Sequence, residues 1–469
     1  MTIVSNTAQD FSVLILAGGQ GKRMQSALPK VLTKLGNKML LEHVLDTAKL
    51  LCPKQTLVVI PQASTTIFSK HIKQHSPQWI EQSQPLGTAH AVYEALAQIH
   101  TKHVLVLYAD VPLTSPSLLE NFIKQCGTQL GIITAICKNP HGYGRIIRDN
   151  QKNITAIVEQ KDCDQQSNAI KEINSGIGFY PVDFLKQQWK NIQNNNQQQE
   201  FYLTDYVKIW SKSKDIKYII TEDLDQISGI NNLTQLHTLE RLWQKNYAKK
   251  LLENGVHITD INRFDCRGEL NIDSGCYIDI NCIFIGKVSI GRNCHIGANC
   301  ILENVNIGDN TNIQAMSILR NSKIDEYAKV GPFAYAKDKT HLAKYAQIGC
   351  FVETKSTYLG QHSKANHLAY LGNMNIEEHV NIGAGVIHCN YNGINKFTST
   401  IKKQAFIGAN SQIVGPVIVH EQATVGAGST ITKDVPAAKL TLARARQQTI
   451  EHWESPRKRE YLQSEIDKD

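Results

Sequence analysis

The sequence predicts an α/β domain, then a long helical arm, then a parallel β-helix of hexapeptide repeats. Three observations lead there. Short aliphatic runs alternate with helix-like stretches up to about Gln226, leucines spaced three or four apart follow, and a six-residue period begins near residue 265.

In the first part, Ser12 to Leu16, Thr56 to Ile60, His103 to Tyr108 and Leu130 to Ile136 are β-branched or aliphatic runs that read as buried strands. Leu40 to Leu51 and Ser117 to Lys124 have helical spacing. Strands alternating with helices indicate a parallel sheet covered on both faces. The expected domain spans residues 1–231. In residues 232–254, Leu233, Leu236, Leu239, Leu242 and Trp243 lie among polar residues, which predicts one long amphipathic helix.

Residues 255–469 form the third segment. Ile272, Ile278, Phe284, Ile290, Ile296 and Leu302 are six apart, and Ile407, Ile413, Val419, Val425 and Ile431 resume the pattern, often with Gly next, as in Ile290-Gly291 and Val425-Gly426. A six-residue period marks a parallel β-helix, whose turns must stack to bury their apolar faces. Cys276, Cys282, Cys294 and Cys300 keep the same period and read as small buried corner residues; ligands stacked in a row could not surround a zinc ion. The pattern breaks between about Pro332 and Gln347 and again around Cys389 to Thr400. Insertions in a solenoid leave as loops, where binding groups concentrate.

Composition narrows the function classes. A chain of 469 residues with 42% hydrophobic and 20% charged residues is globular, and its 11 scattered cysteines, with no Cys-x-x-Cys, point to free thiols in a reducing compartment. No window approaches the roughly 18 apolar residues of a membrane span, and the first ten residues lack Lys and Arg, so a cytoplasmic protein without membrane insertion is expected. The net charge of +8 favours anionic partners without choosing among them. Pro456-Arg457-Lys458-Arg459 in the charged tail reads as solvated.

The first strand runs into Leu16-Ala17-Gly18-Gly19-Gln20-Gly21-Lys22-Arg23-Met24, followed by Leu28-Pro29-Lys30. Glycines after a strand let backbone N–H groups approach phosphate oxygens, and Lys22, Arg23 and Lys30 add positive charge. The turn is neither a Walker A loop nor G-x-G-x-x-G. Asp110 ends a strand, where a carboxylate can hold a hard cation.

Gly-Gly-x-Gly-x-Arg-Met with Leu-Pro-Lys resembles the signature of sugar-nucleotide pyrophosphorylases. Gln82, Leu86-Gly87-Thr88, Tyr108-Ala109-Asp110, Gly142-Tyr143-Gly144-Arg145, Val158-Glu159, Asn174-Ser175-Gly176 and Gly229-Ile230-Asn231-Asn232 follow in that family's order. With the hexapeptide half, nearly the whole chain resembles the bifunctional bacterial N-acetylglucosamine-1-phosphate uridylyltransferase/glucosamine-1-phosphate N-acetyltransferase family. The resemblance implies a Rossmann-like nucleotidyltransferase domain, the helical arm and a left-handed parallel β-helix, with UTP and acetyl-CoA as cosubstrates, magnesium as cofactor and a homotrimeric assembly. No nucleic-acid partner is needed to explain the charge.

By that resemblance Leu16, Ala17, Gly18, Gly19, Gln82, Gly87, Thr88, Tyr108 and Ala109 hold the uridine nucleotide and Lys30 its phosphates. Asp110 and Asn231 are the metal ligands, and Gly144, Glu159 and Asn174 hold the sugar. In the second half, His367 within His-Leu-Ala-Tyr-Leu-Gly is the implied general base; Lys337, Lys355, Tyr370 and Asn381 bind glucosamine-1-phosphate, and Ala384, Asn390, Tyr391, Ala409, Ala427 and Arg444 lie along acetyl-CoA. Amide formation on an amino sugar needs such a base and donors for the developing oxyanion. Four positions depart from the family pattern: Gly18 and Ala109, usually Ala and Gly, Lys337 in place of Arg, and Ala409 in place of Ser. An ammonium lacks the bidentate fork of Arg, so weaker sugar-phosphate binding is expected at Lys337.

Two alternatives have distinct sequence requirements. A nucleotidyltransferase that keeps the β-helix only for assembly has no use for His367, Tyr370, Asn381 and Asn390-Tyr391. A non-catalytic assembly subunit has no use for Lys30, Asp110 and Asn231 together.

Overall fold

A computed structural model describes residues 10–19 and 28–466. The part of the glycine turn from Gln20 to Met24, with Lys22 and Arg23, lies outside the described residues. The chain divides into two compact units, Met1–Lys249 with Cys266–Gly268, and Lys250–Asp265 with Glu269–Asp469.

The first unit is built on one sheet. Its strands are β1 (Phe11–Leu16), β2 (Gln55–Pro61), β3 (Gln78–Gln82), β4 (His103–Tyr108), β5 (Gly131–Ile136), β6 (Arg145–Arg148), β7 (Ile154–Val158), β8 (Glu172–Pro181) and β9 (Lys217–Thr221). The spatial order is β9-β5-β8-β4-β1-β2-β3, with β6 on β8 and β7 on β6. β1 lies between β2 and β4, parallel to both, and all six of its residues are buried. That is why Phe11 to Leu16 reads as an unbroken apolar run: helices cover both faces, so no alternate residue meets water.

The sheet is not wholly parallel, as the sequence had suggested. β8 runs antiparallel to β4, β5 and β6, and β6 pairs antiparallel with β7. Strand alternation alone does not reveal direction, because a strand can enter the sheet antiparallel without a helical crossover, as β8 does between β5 and β4. Local signals hold better. The helix Pro116–Cys126 begins with Ser115 accepting from the Leu118 N–H at 3.3 Å, has Pro116 in its first turn, and ends at Gly127 with φ +59°.

The linker helix runs from Leu233 to Glu253. Leu239 is buried with Leu35, Leu40 and Ile230, and Leu236, Leu242 and Trp243 pack against that cluster. Gly36, at φ +60°, must be glycine twice over, since a Cβ there would also strike the Trp243 ring. The first part of the helix therefore packs on the first unit.

The second unit is a parallel β-helix of short strands stacked coil on coil. Strand Tyr277–Ile278 pairs with His295–Ile296, which pairs with Asn312–Ile313, all parallel. Ile278, Phe284, Ile290, Ile296 and Leu302 are all buried, as are Ile407, Ile413, Val419, Val425 and Ile431, while the terminal Ile272 is half-buried. The corners take left-handed φ at non-glycine residues, among them Asn281, Asn293, Asn299, Asn304, Asn310 and Asn321. Each such corner costs on the order of 1–2 kcal/mol, less for Asn, whereas burying one aliphatic side chain contributes about 1.5–3 kcal/mol. With roughly one inward aliphatic per corner, stacking wins.

All eleven cysteines are free thiols. Cys276, Cys282, Cys294 and Cys300 are buried, and their Sγ atoms donate to the carbonyls of Gly291, Gly297, Gly308 and Gln314. They form two columns rather than one row, because Tyr277 pairs with His295 and Ile283 with Ile301, placing Cys276 beside Cys294 and Cys282 beside Cys300.

The two expected interruptions differ. Between Pro332 and Gln347 the solenoid continues through strands Tyr335–Lys337 and His341–Leu342. The aliphatic signal fades there because Ala334, Ala336, Thr340 and Ala346 take the inward positions. The second is a true insertion: Ile387 pairs with Gln412, a far longer step than Lys329 to Gln347 in an uninterrupted coil. The tail from Pro456 to Ile466 is helical, with Arg457, Lys458 and Arg459 exposed.

Candidate functional sites

At the end of β1 the chain leaves the sheet with Ala17 N–H still bonded to Val59 O at 2.8 Å. There it borders a cavity of about 220 Å³ lined by Leu16, Ala17, Gly18, Gly19, Lys30, Gln82, Gly87, Thr88, Tyr108 and Asp110, all named from the sequence. Val31, Pro85, Ala91 and Glu200 also line it and were not foreseen, since none belongs to a motif. Gly87 has φ +115°, and a Cβ there would meet the Phe201 backbone at 2.5 Å, so this turn requires glycine. A Cβ at Gly18 would lie 2.9 Å from Gln82 Oε1, so its absence gives the Gln82 amide room. Ala109 is fully buried, its N–H bonded to Leu16 O at 3.0 Å, and does not line the cavity.

Among the described residues, Lys30 is the one cation in this wall. Its Nζ contacts Asp110 Oδ2 at 2.5 Å and donates to Asn231 Oδ1 at 3.0 Å. The Lys30 ammonium thus sits between two oxygen acceptors of the kind that suit a hard cation.

A second cluster adjoins Tyr108. Asn174 N–H donates to Gly144 O at 2.9 Å, and a Cβ on Gly144 would lie 3.5 Å from Glu159 Oε2. Glu159 accepts from Thr204 Oγ1 at 3.1 Å. Burial first, then Asp162, Asp205 and Glu200, push its carboxyl above the ordinary range against the opposing Thr204 bond. Burial also raises the Tyr108 phenol, with Glu159 and Asp110 adding to the effect. Gly144, Glu159 and Asn174 come together as expected, outside the 220 Å³ cavity.

In the β-helix, Lys364 pairs with Asn381, and continuing that register places His367 beside Ala384. Asn410 N–H bonds Ala384 O and Gly428 N–H bonds Ala409 O, so Ala384, Ala409 and Ala427 follow one another up the same edge. Arg444 Nη1 donates to Ala427 O at 3.0 Å. His367 is exposed, three residues before Tyr370 and across the corner at Leu368, φ +42°.

Lys337 pairs with Lys355 in register, and Lys355 with Gly372. The two ammonium groups are held apart by acids: Lys337 on Glu353 at 2.8 Å and Lys355 on Asp338 at 3.3 Å. Lys337 also lies 4.4 Å over the Tyr335 ring. Gly372 lies under the Tyr370 hydroxyl, where a Cβ would collide with it and lie 3.0 Å from Asn390 Nδ2. Asn390 in turn donates to Asn373 at 2.8 Å, while Tyr391 and Asn381 remain at the surface and half-buried respectively.

One unforeseen residue anchors this region. His388 occupies an inward position and is 1% exposed, with Nδ1 2.5 Å from Gly372 O and Nε2 2.8 Å from Ser399 Oγ. A carbonyl only accepts, so Nδ1 carries a proton, while Nε2 pairs with the Ser399 hydroxyl, which can donate or accept. It therefore staples the coil before the Asn390 loop to the strand after it. Its hexad phase with Ile376 and Ile382 was the available signal. Burial holds its pKa below the usual 6.5, opposed by the Gly372 carbonyl. Because the folded pKa is depressed, this group's stabilisation is complete above about 6.5 and is lost as pH falls through the folded value. A His388→Val protein is expected to show a flatter decline of thermal midpoint between pH 7 and 5 than the parent; equal slopes would contradict the assignment.

A nucleotide-type cavity on an α/β sheet and a hexapeptide solenoid bearing an exposed His beside an alanine column together define a two-domain transferase, nucleotidyl in one unit and acyl in the other. Family models agree: residues 13–170 match the MobA-like NTP transferase domain, 398–433 the bacterial transferase hexapeptide and 287–316 the hexapeptide repeat of succinyl-transferase. The chain is 42% identical over 451 residues to Bifunctional protein GlmU of Cupriavidus pinatubonensis, covering 96% of this chain and 99% of that one. It is 45% identical to the proteins of that name from Legionella pneumophila strain Lens and Francisella philomiragia, again over 96% and 99%. The chain belongs to the GlmU family.

Proposed function

We propose that the chain catalyses two consecutive steps of UDP-N-acetylglucosamine synthesis, with the residue roles given below. In the second unit the amine of glucosamine-1-phosphate attacks the thioester carbonyl of acetyl-CoA. His367 takes the amine proton and the coenzyme leaves as its thiol. Ala384, Ala409, Ala427 and Arg444 border the coenzyme along their common edge, and Asn390 and Tyr391 reach it from the inserted loop. Lys337, Lys355, Tyr370 and Asn381 orient the sugar phosphate.

In the first unit a phosphate oxygen of N-acetylglucosamine-1-phosphate attacks the α-phosphorus of UTP, forming one P–O bond and releasing pyrophosphate. No protein nucleophile is needed; positioning and charge neutralisation carry the step. Gly18, Gly19, Gln82, Gly87 and Thr88 hold the nucleotide, Lys30 meets its phosphates, and Gly144, Glu159 and Asn174 hold the sugar. Asp110 and Asn231 would hold magnesium, which supplies further neutralisation of phosphate charge.

The observation that carries this reading is the Lys30 ammonium set between Asp110 and Asn231 at the wall of the glycine-lined cavity. The test is a pair of assays: thiol release from acetyl-CoA with glucosamine-1-phosphate, and pyrophosphate release from UTP with N-acetylglucosamine-1-phosphate. Both signals are expected, and silence in both contradicts the reading.

The assembly is a homotrimer of the β-helix, working in the cytoplasm. Supporting this, Met316, Phe333, Phe351 and Leu368 occupy successive positive-φ corners, each between 46% and 61% exposed, beside the His367 edge. Four large apolar side chains in a row are a surface that favours being covered. Sedimentation equilibrium should give three times the chain mass, and a monomer at micromolar concentration would contradict it.

A further inference from the structure

We infer that Arg145 is the positioning residue of the sugar half-site in the first unit, an inference that rests on the assignment of Gly144 and Glu159 to the sugar. Arg145 is 1% exposed and heads the largest fully buried side chains of the described residues. A guanidinium stays ionised, and a buried one is ordinarily paired with a carboxylate. Here none lies within ion-pair distance among the described residues. All its partners are neutral: Nη1 donates to Tyr143 O, and Nη2 to Gln160 Oε1 at 2.9 Å and Asn168 Oδ1 at 3.2 Å. Nε has no partner among the described residues.

Those partners say what the charge is for. Gln160 Oε1 also accepts the Gly142 N–H at 2.9 Å, so one acceptor joins the Gly142 turn to the guanidinium. Tyr143 belongs to the same turn, and Gln160 directly follows Glu159. Strands β6 and β7 set Arg145 opposite Val158. The guanidinium therefore grips, from behind, the two segments that carry Gly144 and Glu159 in front.

The front is tightly toleranced. A Cβ on Gly144 would lie 2.9 Å from Ile157 Cγ2, and the Gly144 carbonyl holds Asn174 N–H at 2.9 Å. Moving the turn by a few tenths of an ångström would shift all three proposed sugar contacts together. A residue there for packing alone would be better apolar, because a buried unpaired charge is costly. The planar fork, with donors fixed in direction, holds three separate acceptors at once, which an ammonium on a flexible stem cannot.

The test is the kinetics of Arg145→Lys and Arg145→Met, with Gln160→Leu as a milder change that removes the shared acceptor and leaves the guanidinium in place. The KM for N-acetylglucosamine-1-phosphate is expected to rise about tenfold or more in both Arg145 variants and about threefold in Gln160→Leu, with kcat and the KM for UTP within about twofold. Acetyl transfer should be unchanged. A parallel rise in both KM values, a fall in kcat at constant sugar KM, or restoration by Lys would overturn the inference. Glu159→Gln separates the two levels. If it raises the sugar KM while the Arg145 and Gln160 variants do not, the positioning role fails and the half-site stands; if none of them raises it, the half-site assignment fails.

Discussion

An Asp110→Ala enzyme should release pyrophosphate from UTP and N-acetylglucosamine-1-phosphate at least about a thousandfold more slowly than the parent, a loss of the size expected when charge neutralisation at a transferring phosphoryl group is removed. Thiol release from acetyl-CoA and glucosamine-1-phosphate should be unaffected. The reasoning starts from burial. The Lys30 and Asp110 side chains are only 8% and 21% exposed and lie 2.5 Å apart, so they set the local charge of the cavity wall together. Among the described residues, deleting the carboxylate leaves Lys30 buried with only the Asn231 side-chain oxygen, which costs stability as well as chemistry. Asp110→Asn separates these effects, because it keeps an acceptor for Lys30 while removing the negative charge. It should fold like the parent and remain nearly as slow as the Ala variant. Full pyrophosphate release by Asp110→Asn would show that no cation needs this carboxylate.

The second large effect is the converse. His367→Ala should lower acetyl transfer by about a hundredfold to ten-thousandfold, the range for a lost general base, and leave uridylyl transfer within about twofold. His367 is exposed and its ring has no hydrogen-bond partner among the described residues, so its removal should not disturb the solenoid. That contrasts with His388, 1% exposed and doubly hydrogen-bonded, whose loss should act through stability. An unchanged thermal midpoint in His367→Ala, with acetyl transfer lost, places the effect on the chemistry. Retention of more than about a tenth of the acetyl-transfer rate would remove His367 from the role of base.

Structure was legible in the sequence wherever a physical constraint repeats or clusters. Ile290, Ile296 and Leu302 announce the solenoid because each must be buried once per hexad. The coil from Pro332 to Gln347 hid itself because Ala336, Thr340 and Ala346 fill the same inward positions with side chains that carry no periodic apolar signal. Leu16 to Gly19, Lys30 and Asp110, named from the family resemblance, line one cavity together. Val31, Ala91 and Glu200 reach the same cavity through packing of distant segments, which leaves no local mark. Arg145 stood inside a recognised motif, yet its work depends on Gln160 and Asn168, set by the β6–β7 pairing and the helix Gln165–Asn168. His388 was marked all along by its phase with Ile376 and Ile382; an inward His reads as polar until its two partners are known.

The central claim is that one chain carries both transfers and that the product of the second unit is the substrate of the first. The most direct measurement supplies the purified protein with glucosamine-1-phosphate, isotopically labelled acetyl-CoA, UTP and magnesium, and follows the label by mass spectrometry. The account predicts labelled UDP-N-acetylglucosamine, with one free thiol and one pyrophosphate formed for each molecule of product. Pyrophosphate formed from added N-acetylglucosamine-1-phosphate with no thiol released and no label in the nucleotide sugar would contradict it, leaving the β-helix as a scaffold alone.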